Sequence, residues 1–190
     1  MLPESAQGKT MLFEIEPTIR KKARFPHELF MFNLAVFHLM LAPISIFLMR
    51  DVTALLIPLF FSSGVFTFIY IRGNQVQKSG HWFEMVHWKL AFRRAKLLLI
   101  AYAVTAVIIA GGWLLAQGAD KTMQDIFLTI SSRIGIMPTF ILVVVNFVLE
   151  SGSIYQAGRG EVPDGMLKRY PAPAGIAEKT EATEPGPAVD

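Results

Sequence analysis

Residues 126–149 read IFLTISSRIGIMPTFILVVVNFVL, twenty-four residues with no acid and one base, Arg133. A helix needs about 20 mainly apolar residues to cross a bilayer core, and this stretch is long enough. Three further stretches match it: 29–49 (LFMFNLAVFHLMLAPISIFLM), 52–71 (VTALLIPLFFSSGVFTFIYI) and 97–117 (LLLIAYAVTAVIIAGGWLLAQ), all without a charged residue. Together the four hold 86 of the 190 residues, too many for the remaining polar sequence to cover as core helices. Charged residues make up 17% of the chain and hydrophobic ones 53%, against about 25% charged in soluble domains. The reading is an all-α membrane protein with four transmembrane helices, arranged as two antiparallel hairpins in the lipid bilayer.

Charge placement predicts orientation. Residues 1–28, the loop 73–96 with Arg72, and the tail 150–190 carry fifteen Lys and Arg residues. The opposite side has only Arg50 and Lys121. By the positive-inside rule both termini face the cytoplasm and the chain sits in the inner (plasma) membrane. The net charge of +3 is thereby a topological signal, and no hydrophilic basic face points to nucleic acid. The first 28 residues contain four Glu and no short apolar core, so the first span reads as an uncleaved anchor. The connections at Arg50-Asp51 and 118–125 leave no room for an outer domain.

The cytoplasmic segments differ in character. Pro26 suits the first turn of a helix, where its missing N–H costs nothing. The stretch RGNQVQKSG at 72–80 looks like a turn, and HWFEMVHWKLAFRRAK at 81–96 places Trp82, Phe83, Val86 and Leu90 on one side. That pattern predicts a short amphipathic helix at the interface before the third span. The tail from 150 is rich in Pro and Gly and reads as largely disordered, with GRGEVPDGMLKRYP at 158–171 its best candidate for docking.

Polar residues within the spans are the candidate sites. A buried arginine is costly in a bilayer and is normally paired or lines a polar path. Arg133 therefore heads the ligand or ion-pair candidates, with Asp125 and Asp51 as acids on its side and Ser132 and Thr129 as neighbours. Thr129, Ser132, Thr139 and Asn146, with Gly135 beside them, form a stripe expected to face protein, and Pro138 predicts a kink. His38, near the middle of the first span, is expected to bond Asn, Ser or Thr on another helix; Asn33 and Asn146 are the other intramembrane polar residues. Haem would need a second axial ligand that no span supplies. Ala103, Ala106 and Ala110, with Gly111 and Gly112, give the small-residue spacing of a close helix contact. His81, Glu84 and His87 make a single weak metal constellation, half of a carboxylate di-iron pattern.

The chain has no cysteine, and with it no disulfide, thiolate metal site or Cys nucleophile. Nucleotide-binding, hydrolase-elbow and zinc-protease motifs are absent. The expectation is a non-enzymatic accessory, assembly or structural subunit of a larger inner-membrane complex, bound to other membrane subunits or to itself, with no cofactor predicted. The alternatives are a small oligomeric transporter or channel with Arg133 lining an anion or proton path, and a redox subunit meeting quinone or haem near His38.

Overall fold

The computed structural model describes residues 10–178. Four helices in it are long and apolar enough to cross a membrane. The first runs from Pro17 to Met49 as α1 (Pro17–Asn33), a π-helical segment (Leu34–Leu41) and α2 (Ala42–Met49). Within the π segment the Ala42 N–H reaches back five residues, to the carbonyl of Phe37. Pro43 follows directly, and a proline ring crowds the carbonyl four residues before it. The wider π turn relieves that crowding. Pro26 lies inside α1, not at its start, because the helix begins nine residues earlier with Pro17 at its first turn.

Arg50 closes α2 in a left-handed conformation at φ 51°. The Asp51 carboxylate then accepts from the Thr53 N–H at 2.7 Å, capping a short 3₁₀ turn (Val52–Leu55) that leads into α3 (Leu56–Ser79). Here the structure corrects the sequence reading. The supposed turn at 72–80 is the last part of α3, and the chain reverses at Gly80-His81. α4 then runs unbroken from Trp82 to Ala116. The expected interfacial helix is the first third of α4. Phe83, Val86, Trp88 and Leu90 are buried against α1, α3 and the tail, so no apolar face is left for lipid headgroups there.

α5 (Lys121–Arg159) passes through Pro138 as one helix. At 1.5 Å per residue its 39 residues extend about 58 Å, well beyond a hydrocarbon core of about 30 Å. The polar parts of the long helices are the first turns of α1 and α4 and the last turns of α3 and α5. Gly160 stops α5 at φ 89°, and a Cβ there would meet the Phe13 carbonyl at 2.7 Å, so both conformation and space require glycine. The tail beyond is ordered as far as 178. β2 (Glu161–Pro163) pairs antiparallel with β1 (Thr10–Leu12), Met11 opposite Val162, and α6 (Asp164–Leu167) follows. Val162 is 0% and Met166 2% exposed, which is what fixes this segment. The expected disorder thus does not extend to 160–178, and residues 179–190 fall outside the described ones.

Burial is uneven along the bundle. α4 buries most of its residues between Phe83 and Tyr102, but beyond them only Thr105, Gly112 and Ala116. α4 and α5 stay together at the far end through Gly112, whose missing side chain leaves room for the Ser131 side chain. Their contacts run in reverse order, Arg94 to Leu149, Thr105 to Thr139 and Gly112 to Ser131. Each helix also presents an apolar outer side: Phe47 is 79%, Phe60 73% and Val107 71% exposed.

Candidate functional site

The most polar region of the interior lies at the crowded end and joins four segments far apart in sequence. His27 of α1, with a fully buried side chain, faces the equally buried Glu150 of α5, Nδ1 to Oε2 at 2.6 Å. Its Nε2 lies 3.0 Å from His87 Nδ1 on α4. His87 Nε2 lies 3.2 Å from the Glu161 backbone carbonyl in β2. Arg94 of α4 donates to the other Glu150 oxygen at 3.1 Å and to the Leu149 carbonyl at 2.6 Å.

Hydrogen-bond direction fixes where the protons sit. A backbone carbonyl only accepts, so His87 Nε2 carries a hydrogen. Burial holds His87 well below the usual histidine range. The positive charge on His27 adds to this, the Glu161 carbonyl opposes it, and Arg94 adds a smaller push downward. A neutral His87 leaves Nδ1 bare, and that nitrogen accepts from His27 Nε2. One further proton then lies between His27 Nδ1 and Glu150. The cluster thus joins Arg94, Glu150 and His27 through one shared carboxyl group and is closed by a neutral His87.

A second network lies deeper. Ser62 donates to Asn33 Oδ1 at 2.8 Å and meets His38 Nε2 at 2.6 Å. The Tyr102 hydroxyl meets His38 Nδ1 at 3.0 Å. The expected partner type for His38 is therefore present, and both of its ring nitrogens are hydrogen-bonded. Nearby, the Thr105 hydroxyl bonds the Gly135 carbonyl at 2.5 Å and Thr139 at 2.8 Å. Asn146 gives its amide to the Leu142 carbonyl at 2.9 Å, one turn back. Asn33 Nδ2, Asn146 Oδ1 and Ser153 Oγ are buried without a hydrogen-bond partner among the described residues.

Beyond Tyr102 the helices separate. A cleft of about 610 Å³ opens between the start of α3 and the α4–α5 pair, lined by Leu56, Leu59, Tyr102, Ala106, Ala110, Trp113, Leu128 and Ser132, with Asp51 and Thr53 at its end. A smaller cavity of about 90 Å³ on the α1–α2 side shares Tyr102 and is lined also by His38 and Thr139.

The candidates from sequence are dispersed accordingly. Arg133, Asp125 and Thr129 are exposed, and no ion pair of Arg133 with Asp51, Asp120 or Asp125 occurs among the described residues. The inward stripe of α5 is Ser131, Gly135, Thr139, Val143, Asn146, Glu150 and Ser153. Its outer end is displaced by one residue from the expected Ser132, and one residue turns a helix by about 100°. Ala103, Ala106 and Ala110 do not make the close helix contact; they are exposed, Gly111 is half-buried, and only Gly112 is used. His81 caps α4 through the Phe83 N–H, Glu84 accepts from Trp88 at 3.4 Å, and His87 belongs to the histidine pair. These three do not converge, and no group that could hold a metal ion occurs among the described residues.

Sequence reasoning missed Glu150, His27, Arg94, Ser62 and Tyr102. Glu150 had a legible signal, since it continues the spacing of Gly135, Thr139, Val143 and Asn146, steps of 4, 4, 3 and then 4. No family model, no curated protein and no solved structure matches the chain.

Proposed function

We propose that the chain is a small, non-enzymatic, multi-pass subunit of a larger inner-membrane complex, inserted as two antiparallel hairpins with both termini cytoplasmic. The cleft beyond Tyr102 carries this reading. Its walls are mainly apolar, and it displays Ala106 and Ala110 one turn apart. Small residues at that spacing let a second helix backbone come close. The occupant is a transmembrane helix of another membrane chain. The Arg94–Glu150–His27–His87 cluster locks α1, α4, α5 and β2 together at the cytoplasmic end, giving a rigid base from which the hairpins splay. Purification in mild detergent should return a stoichiometric partner. A monodisperse lone protomer, unchanged by cross-linking in native membranes, would sink the proposal.

A second reading rests on the inward stripe of α5. From Ser131 to Ser153 it sets polar groups at successive levels over about 33 Å at 1.5 Å per residue, and His38, Tyr102 and His27 border it. A proton path would run there, inside the protomer, and not past Arg133. Liposomes loaded with a pH-sensitive dye would report it: flux should exceed protein-free vesicles and drop in Tyr102→Phe, and equal flux with and without protein rejects it.

A further inference from the structure

We propose that Lys89, Arg93, Lys96 and Arg169 form a binding site for a phosphate-bearing anion, supplied in the membrane by an anionic lipid headgroup. The lipid source rests on the membrane reading above; the anion site itself does not. The four bases line one groove of about 160 Å³ together with Tyr70, Phe92, Met166 and Tyr170, and no acid contributes to it. None of the four is ion-paired among the described residues. Four like charges around so small a space repel one another until an anion joins them.

The groove is assembled by the fold. Arg169 arrives from the tail, which is pinned where Trp82 Nε1 donates to the Tyr170 carbonyl at 3.1 Å and where Met166 is buried. Lys89 is held by Asn74 Oδ1 at 2.7 Å, and partial burial lowers its pKa from the ordinary lysine value. Lys96 lies over the Phe92 ring at 5.3 Å. A second basic groove, at Arg20, Lys21 and Arg24, differs because it includes Glu28, which pairs with Arg24 at 3.1 Å. Depth also fits a headgroup. Lys96 immediately precedes the apolar stretch 97–117, and Tyr70 lies in the last turn of 52–71. Basic pockets between helices at the cytoplasmic face are suited to lipid phosphates.

The test uses the full chain in an uncharged detergent, titrated with short-chain phosphatidylglycerol, phosphatidylcholine of equal chain length, or inorganic phosphate, with binding read by native mass spectrometry. Phosphatidylglycerol should bind saturably, phosphatidylcholine should not, and inorganic phosphate should compete only weakly. Arg93→Gln/Lys96→Gln should weaken phosphatidylglycerol about 25-fold, roughly fivefold per cation. Lys21→Gln/Lys22→Gln, an equal loss of exposed charge, should leave it unchanged. Unaltered binding in the first variant, equal weakening in the second, or equal affinity for phosphatidylcholine overturns the proposal. Inorganic phosphate binding as tightly as the lipid overturns the lipid source alone. Release of the protein from membranes by carbonate would sink the membrane reading and leave the phosphate titration standing.

Discussion

Replacing Glu150 discriminates between a working charge cluster and incidental burial. Glu150→Ala removes both oxygens at once. It strands Arg94 and His27 in a region where the His27 and Glu150 side chains are 0% exposed and that of Arg94 12%. Breaking a buried pair by removing one partner costs ~3–5 kcal/mol, which for a chain of this size lowers the melting temperature by about 6–20 °C. Glu150→Gln differs in kind. Its amide carbonyl can accept from Arg94, and its amide nitrogen can donate to His27 Nδ1. Every hydrogen bond survives and only the charge is lost, so the cost should be about 1–2 kcal/mol. The assay is thermal unfolding of purified protein in detergent, followed by circular dichroism. An Ala variant melting within about 3 °C of wild type, or a Gln variant as damaged as the Ala one, would refute this account of the cluster.

Other perturbations follow from the same contacts. Gly112→Leu drives a side chain into Ser131, and overpacking of that kind costs ~1–3 kcal/mol, visible as a lower melting temperature. Ser62→Ala leaves His38 Nε2 and the Asn33 carbonyl oxygen without their shared hydroxyl, at ~1–3 kcal/mol per stranded group, again read by melting. His87 is held neutral in the fold, so the unfolded chain takes up a proton near pH 6.5 that the folded one refuses. The His87 contribution to stability should be fully present above that pH and fall below it by at most about 1.4 kcal/mol per pH unit, and His87→Gln should flatten that part of the slope.

The four long apolar helices were legible because each leaves an unbroken run of about 20 apolar residues in the sequence, the length a bilayer-crossing helix needs. Thr139, Asn146 and Gly135 were placed inward from helical periodicity, and the partner type of His38 from the cost of burying an unbonded polar group. The limits were equally physical. Glycine at 73 and 80 looks like a turn from local propensity, but Val76 and the start of α4 bury the helix through it. Arg133 lies on an exposed side of α5, which its span's composition could not show, since composition does not say which side of the helix a residue takes. The His27–Glu150–His87 cluster spans residues 27 to 161, and only tertiary packing brings them together. The spacing of Ala106 and Ala110 pointed to a close helix contact without naming the partner, and within the protomer they line an open cleft.

That cleft offers the most direct measurement. A photoreactive amino acid at Ala110, irradiated in native membranes, should join the chain to one other membrane protein in a single product, while the same probe at Val107, 71% exposed and outside the cleft, should give none. Products made only of this chain, or identical products from both positions, would contradict the account.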